Sequence, residues 1–318
     1  SCLLMAIGIL LFYLGLLTGR QFAAAGSALL LAGFSVAIRA LARVLLRAKD
    51  QDRRHAAAAM VALISGWLGM AAYLLWLLAD AAVLLDFARS AGIWFFLLPI
   101  VMIVSHRMIP FFSSRVLDDY VLARPYWMLW LMLACSFVHG MLQLSEDAFS
   151  YLWLVDFPLA ACAIYLSLTW GLLRSFRVHL LAVLHIAFAW LPLSMLLYGV
   201  QSLVFFTSGG RLSPFGLAPL HALAIGYFAS MVLGMASRVT LGHSGRPLAL
   251  DRFSWLLFIG FQAAVALRIA PDILPESLGE AGPGLYVLAG LCWLVCFSLW
   301  TGRYAPIYWR ERIDGKPG

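Results

Sequence analysis

The chain has 318 residues, of which 64% are hydrophobic and only 12% are charged, and its mean hydropathy is +0.93. Soluble domains carry about 25% charged residues, and uninterrupted apolar runs of about 18 residues or more are typical of membrane spans. The composition therefore excludes an ordinary soluble protein. The net charge of +7 would suit a nucleic-acid-binding protein, but the positions of the charges give it another origin.

The five cysteines form no C-x-x-C pair and no C-x-x-C-H motif, which excludes covalent attachment of a c-type haem. We interpret them as small apolar packing residues. Walker A, dinucleotide-binding and zinc-finger patterns are also absent. The chain begins at Ser1 in apolar sequence and without a cleavable signal peptide, so we expect an N-terminally truncated chain.

The apolar runs predict an all-α, polytopic transmembrane bundle, with residues 1–318 forming one integral-membrane domain. Ten stretches are long enough to cross about 30 Å of hydrocarbon. The predicted spans are residues 1–19, 22–38, 56–79, 91–112, 125–144, 149–173, 180–205, 215–237, 253–270 and 285–302.

The basic residues fall mainly on one side of these ten spans. Of the 22 Lys and Arg residues, 18 lie in alternate loops and tails, and the opposite loops hold only Arg20, Arg89, Arg211 and Arg268. This bias follows the positive-inside rule, which predicts that both termini are cytoplasmic. It explains the basic charge through contact with the lipid bilayer and without nucleic acid.

Two cytoplasmic segments carry much of this charge. Residues 39–55 are predicted as a basic amphipathic loop suited to the inner headgroup region, and residues 303–318 as a cytoplasmic tail. His55, at the end of the first segment, is interpreted as a solvated loop residue.

Ionisable side chains also occur within the spans, where they are costly and commonly functional. His106 and Arg107 lie near the inner end of the fourth span, where both either extend to the interface or meet a partner. Asp156 in the sixth span either caps a kink at Pro158 or belongs to a polar pathway.

The eighth span has two contrasting faces at 100° per residue. His221, Phe228, Met231 and Met235 are predicted on one face, and Gly226, Ser230 and Gly234 on the other. The small residues allow another helix to approach closely. Imidazole and thioether groups suit haem iron or copper, although methionine and phenylalanine stripes are also common in helices that bind nothing.

The loop that follows contains Arg238, His243 and Arg246. The two arginines are candidates to bind carboxylates or phosphates, such as haem propionates or lipid headgroups. The alternative is a positive-inside loop that happens to contain a histidine.

This region resembles the NnrS family of haem- and copper-containing bacterial membrane proteins of the nitric-oxide response. The most specific part is the run from Arg238 to Leu248, RVTLGHSGRPL. The other matching residues are His221–Leu223, Gly226, Met231, Met235, Arg107–Phe111, Leu184–His185, Ala189–Leu191, Tyr304–Ile307 and Asp314–Gly318.

The resemblance implies non-covalent haem b, copper, a multi-pass location in the bacterial inner membrane and resistance to nitric oxide and nitrosative stress. It also implies an electron donor that the sequence does not identify, and no catalytic residue is assigned. Family members have about twelve spans, so this chain resembles a member that lacks the first two.

Membrane depth limits which histidines can share a metal. His221 and His139 lie at similar depth, roughly 8–9 Å below the outer edge, whereas His185 lies roughly 15 Å further in. A haem bridged by His185 and His221 would need a steeply tilted axis. The outer candidate site contains His221 with His139 and Met231, and the inner candidate cluster contains His185, His106 and His243.

Two other functions are alternatives to that of a haem and copper protein. The first is a transporter or permease for a metal or small solute, for which Pro192 and Pro219 would allow broken helices, although paired halves are not evident. The second is a haem-copper oxidase or nitric-oxide reductase, which the absence of adjacent histidines disfavours.

Overall fold

The computed structural model describes residues 2–48 and 52–315, apart from the side chains of Glu146, Asp147, Pro275, Glu276 and Glu280. All regular secondary structure in the described residues is helical, which confirms the predicted all-α class. Among the described residues, eight helices are long and apolar enough to cross a membrane, and two shorter apolar helices, Cys2–Thr18 and Tyr126–Leu142, coincide with the remaining predicted spans. The total of ten spans and the cytoplasmic termini stay predictions.

The first half of the chain contains six α-helices, and a π-helical segment connects the fourth and fifth. The elements are α1 (Cys2–Thr18), α2 (Arg20–Arg47), α3 (Arg54–Ala79), α4 (Ala82–Ser90), the π segment Ala91–Leu97, α5 (Leu98–Val116), α6 (Tyr126–Leu142) and the 3₁₀ helix Glu146–Tyr151.

The second half contains a second π segment at the start of the span that the sequence singled out. The elements are α7 (Trp153–Thr169), α8 (Leu172–Ser175), α9 (His179–Thr207), α10 (Ala218–His221), the π segment Ala222–Ala229, α11 (Ser230–His243), α12 (Arg252–Ile273), α13 (Pro275–Leu278), the 3₁₀ helix Gly279–Ala281, α14 (Gly282–Tyr304) and the 3₁₀ helix Ala305–Trp309.

The chain forms two compact units. The first unit comprises residues 1–107 and 129–149. In it α1 packs closely against α2, because Gly26 has no Cβ: an added one would lie 2.5 Å from the backbone nitrogen of Phe12. Arg20 at the start of α2 forms an ion pair of 2.9 Å with Asp80 at the end of α3.

The second unit comprises residues 108–128 and 150–318. Its central element is α9, the most buried of the spanning helices, which packs against α7, the second π segment and α11. The helices α12 and α14 pack against each other, and Phe261, Val265 and Cys296 contribute buried side chains there.

Several helices extend beyond the predicted span boundaries. Residues 39–47 continue α2 as helix, and the fourth span begins at Ala82 instead of residue 91.

Pro110 and Pro192 lie inside α5 and α9, neither of which ends there. Membrane helices tolerate proline because neighbouring groups can satisfy the carbonyl that loses its donor. Of the predicted loop and tail, residues 49–51 and 316–318 lie outside the described residues.

Candidate functional site

His221 is held by the backbone at the point where the eighth span changes its helical geometry. It is the last residue of α10 and is half-buried, and its Nδ1 lies 2.9 Å from the carbonyl oxygen of Leu217. Because a carbonyl oxygen only accepts, Nδ1 carries the proton and Nε2 carries the lone pair. No hydrogen bond engages Nε2 within residues 2–48 and 52–315. Histidines that bind a metal through one ring nitrogen usually donate the N–H of the other to a carbonyl or carboxylate, as His221 does here.

The π segment Ala222–Ala229 changes the predicted faces of this span. Its wider turn lowers the rotation per residue below the 100° that we assumed. The assumption of 100° per residue, which placed His221, Met231 and Met235 on one face, is therefore wrong for Ala222–Ala229. Met231 is buried and Met235 half-buried in α11. Their roles as metal ligands stay predictions.

Two residues of the predicted small face, Gly226 and Gly234, lie in close contact with α9. An added Cβ at Gly226 would lie 2.7 Å from the Trp190 ring, and one at Gly234 would lie 2.9 Å from Leu184. A chain of hydrogen bonds joins three elements here: Trp190 Nε1 donates to Gln262 (2.7 Å), and Gln262 Nε2 donates to Ser230 (3.0 Å). This chain fixes α12 and the end of the π segment against α9.

His185 is buried in α9 and contacts a serine of α5. Its Nε2 lies 3.0 Å from Ser113 Oγ, and its exposed fraction is 1%. A serine hydroxyl can donate or accept, so this contact is compatible with either tautomer.

Arg238 lies beside the same stretch of α5. Its guanidinium carbon is 3.9 Å from the centre of the Phe112 ring, and its exposed fraction is 7%. No carboxylate pairs with it in the part of the chain that the structure describes. Because Phe112 and Ser113 are consecutive, α5 brings the predicted residues His185 and Arg238 to one locality within the second unit.

His106 has a histidine partner in the first unit that sequence analysis misinterpreted. Its Nδ1 lies 2.9 Å from Nε2 of His55, and both rings are buried. The prediction of His55 as a solvated loop residue is wrong, because Arg54 begins α3 and places His55 in its first turn. The neighbouring Arg107 is exposed, so it behaves differently from His106.

His139 is fully buried in α6 and stacks on Trp94, with ring centres 3.5 Å apart. Trp94 lies in the first π segment, and its indole Nε1 donates to Gln143 at 2.7 Å. The Trp94 carbonyl accepts a bond of 2.6 Å from Ser136. Both π segments among the described residues therefore adjoin a candidate histidine, and such segments are frequent at functional sites.

The remaining predicted residues lie toward the end of the eighth span and beyond it. His243 is exposed at the end of α11, and Arg246 lines a basic cavity with Arg303 and Arg310. Over residues 2–48 and 52–315, no three His, Cys, Asp or Glu side chains are grouped so that they could hold a metal ion. The assignments to metal and cofactor stay predictions.

Sequence reasoning missed His55, Trp94, Phe112 and Ser113. The four alanines after His55 are a helix-favouring signal that would have placed it in α3. The other three residue types are common in membrane helices, and only the packing of α5, α6, α9 and α11 gives them partners.

The fold and the buried imidazoles define a polytopic helical membrane protein with ionisable groups inside its spans. Within that class the chain belongs to the NnrS family, whose model, described as NnrS protein, matches residues 1–312. The match extends well before residue 100, near which the motifs quoted above begin. Neither a curated protein nor a solved structure matches the chain. Family membership connects it with the nitric-oxide response and with metal or haem cofactors.

Proposed function

We propose that this chain is a haem- and copper-containing protein of the bacterial inner membrane that protects against nitric oxide and nitrosative stress. It binds or transforms nitric oxide, or nitrosylated metal species, at a histidine-ligated metal. The observation that carries the proposal beyond family membership is the state of His221, whose protonated nitrogen is fixed by a carbonyl and whose second nitrogen is available.

The surroundings of His221 fit a haem ligand. The imidazole precedes a π segment that tertiary contacts hold in place, so its direction is set by the backbone. The ion pair of Arg268 and Asp272, with atoms 3.2 Å apart, lies in α12, the helix that packs against α10. A ligand held this way loses little freedom on binding iron.

Arg238 and His185 lie further along the spans than His221, so they fit the carboxylate groups of a cofactor bound at a second site. The Arg238 guanidinium is 7% exposed and lies over the Phe112 ring, and among the described residues it lacks the anion that normally accompanies a buried charge. A carboxylate from a bound group would supply it.

The donor groups for copper are imidazoles and thioethers, which this ion prefers. His106 and His55 bring two imidazole rings together in the first unit, and Met231 and Met235 carry thioether sulfur atoms in the second.

Haem, when bound, would supply an iron atom with a position for nitric oxide, and copper would supply one-electron chemistry. The contribution of the chain is to hold these groups, to exclude water through its apolar spans and to receive electrons from a donor that is still to be identified.

The test is the absorption spectrum and metal content of the full chain purified from a haem-replete host. His221→Ala and His139→Ala are made separately, with His179→Ala as the matched control. His179 is exposed at the start of α9 and stacks on Trp255, outside every predicted site.

We expect His221→Ala to lose haem or shift its main absorption band, while His179→Ala matches the wild type. An unchanged spectrum in both His221→Ala and His139→Ala would remove the outer haem site. A wild-type protein without colour or metal would instead favour a transporter. Survival of cells under nitric-oxide donors, with and without the His221→Ala variant, tests the protective role.

A further inference from the structure

A basic cavity lies in the second unit, beside the start of α12 and the C-terminal end of α14. It has a volume of about 240 Å³. Its polar lining comes from Arg246 in the loop after α11, from Asp251 at the cap of α12, from Arg303 and Tyr304 at the end of α14, and from Arg310 after the 3₁₀ helix Ala305–Trp309.

The charges in this cavity are not balanced. Arg303 pairs with Asp251, whose carboxylate also accepts a bond of 3.0 Å from the backbone nitrogen of Ser254. Burial opposes ionisation of Asp251, but these donors and the Arg303 charge outweigh it and hold the pKa of the carboxyl below its ordinary value. Arg246 and Arg310 make no ion pair within residues 2–48 and 52–315.

Arg246 also has a buried atom without a partner. Its Nη1 is shielded from solvent and makes no hydrogen bond to the described residues. A buried donor of a charged group is costly to leave unsatisfied, so an anion in the cavity would be stabilised there.

The walls of the cavity are held together by the end of the chain. Ile313 donates its backbone N–H to the Ser244 carbonyl at 3.2 Å, and the hydroxyls of Thr240 and Tyr308 lie 2.6 Å apart. Gly245, at φ 71°, closes the turn, and a Cβ there would lie 2.6 Å from the carboxyl carbon of Asp314. The cavity is therefore a built feature of the loop and tail.

The position along the spans matches the depth of lipid headgroups. The cavity lies where the candidate span Arg252–Ile273 begins and where Gly282–Trp309 ends. Tyr308 and Trp309 beside it are 67% and 82% exposed, and such aromatic residues are enriched at membrane interfaces. Basic pockets at the ends of spans bind anionic headgroups.

We propose that this cavity binds the phosphate group of an anionic phospholipid, with Arg246 and Arg310 as its donors. Free phosphate has the same chemistry, but a site at the ends of two spans receives phosphate already attached to the lipids around it. This assigns Arg246, which the sequence offered for either a haem propionate or a lipid headgroup, to the lipid.

The experiment measures phosphatidylglycerol retention by native mass spectrometry on the delipidated full chain in detergent. The probes are phosphatidylglycerol, phosphatidylcholine and inorganic phosphate. The variant is Arg246→Gln with Arg310→Gln, and the control is Arg252→Gln, which removes an exposed charge near the cavity that does not line it. Arg246→Lys tests whether charge alone suffices, and size-exclusion profiles check folding.

We expect the double variant to bind phosphatidylglycerol about tenfold more weakly, which corresponds to about 1.4 kcal/mol, while Arg252→Gln stays within about twofold of wild type. The phosphatidylglycerol affinity of Arg246→Lys should lie between those of the double variant and Arg252→Gln. An equal loss of phosphatidylglycerol binding in Arg252→Gln, or no loss in the double variant, would overturn the proposal. Binding of inorganic phosphate without the lipid would reassign the site to a free anion, and loss of haem with the lipid retained would reassign Arg246 to a cofactor carboxylate.

Discussion

The contact between Gly226 and Trp190 gives a direct test of how the π segment is fixed. In Gly226→Ala the new Cβ would lie 2.7 Å from the indole ring, well inside van der Waals distance. Trp190 cannot simply retreat, because its Nε1 is bound to Gln262 at 2.7 Å. The added methyl must therefore displace the π segment or break that hydrogen bond.

The expected change in the free energy of unfolding of Gly226→Ala is the difference between two opposing effects. Overpacking a well-packed interior costs about 1–3 kcal/mol, and replacing glycine by alanine in a helix gains about 0.5–1 kcal/mol. We expect a net loss of about 1–2 kcal/mol in the free energy of unfolding.

The assay is thermal unfolding of the purified chain in detergent, with Gly290→Ala as the matched control. Gly290 lies inside α14, and an added Cβ there meets no atom within 4 Å. The control should be as stable as wild type or slightly more stable. If Gly226→Ala were as stable as Gly290→Ala, the close contact with Trp190 would not exist and the argument for a fixed π segment would be refuted.

Two further predictions concern polar contacts. Ser113→Ala removes the partner that lies 3.0 Å from His185, and the free energy of unfolding, measured by thermal unfolding, should fall by about 1–2 kcal/mol. The control is Ser114→Ala, which should cost less because the Ser114 hydroxyl donates to the Phe111 carbonyl of its own helix. Equal losses in the two variants would count against a specific His185 contact. Asp251→Asn keeps an N-cap acceptor but removes the charge. Because the folded pKa of Asp251 lies below its ordinary value near 3.8, its charge stabilises the fold above that pH and the effect disappears as pH falls through the folded pKa. The variant should therefore unfold at a lower temperature than wild type at pH 6, and the difference should shrink in acid; a difference independent of pH would contradict the ion pair.

The composition and the charge distribution were sufficient to predict an all-helical membrane protein, since apolar length and loop arginines report membrane spanning without any tertiary information. The close helix contact at Gly226 and Gly234 was predicted correctly, because residues without bulky side chains allow close helix contact in any bundle. Motifs in the eighth span and its loop also led to the family.

Other features depend on local geometry that residue types do not encode. The prediction that His221, Met231 and Met235 share one face assumed a regular α-helix with 100° per residue. The π segment Ala222–Ala229 does not have that geometry. Pro192 would have allowed a broken helix, yet α9 continues through it, as α5 does through Pro110. Whether a turn widens or a proline is accommodated depends on the neighbours that satisfy the freed carbonyls.

The sequence by itself therefore determined the class of protein, the helical segments and the residue types available for a metal, because these follow from hydropathy, charge and periodicity along one chain. Tertiary structure decided which side chains meet. It paired His106 with His55, placed His139 on Trp94, and brought His185 and Arg238 to consecutive residues of α5. Those contacts join residues far apart in the chain, and their positions follow only from how the helices pack.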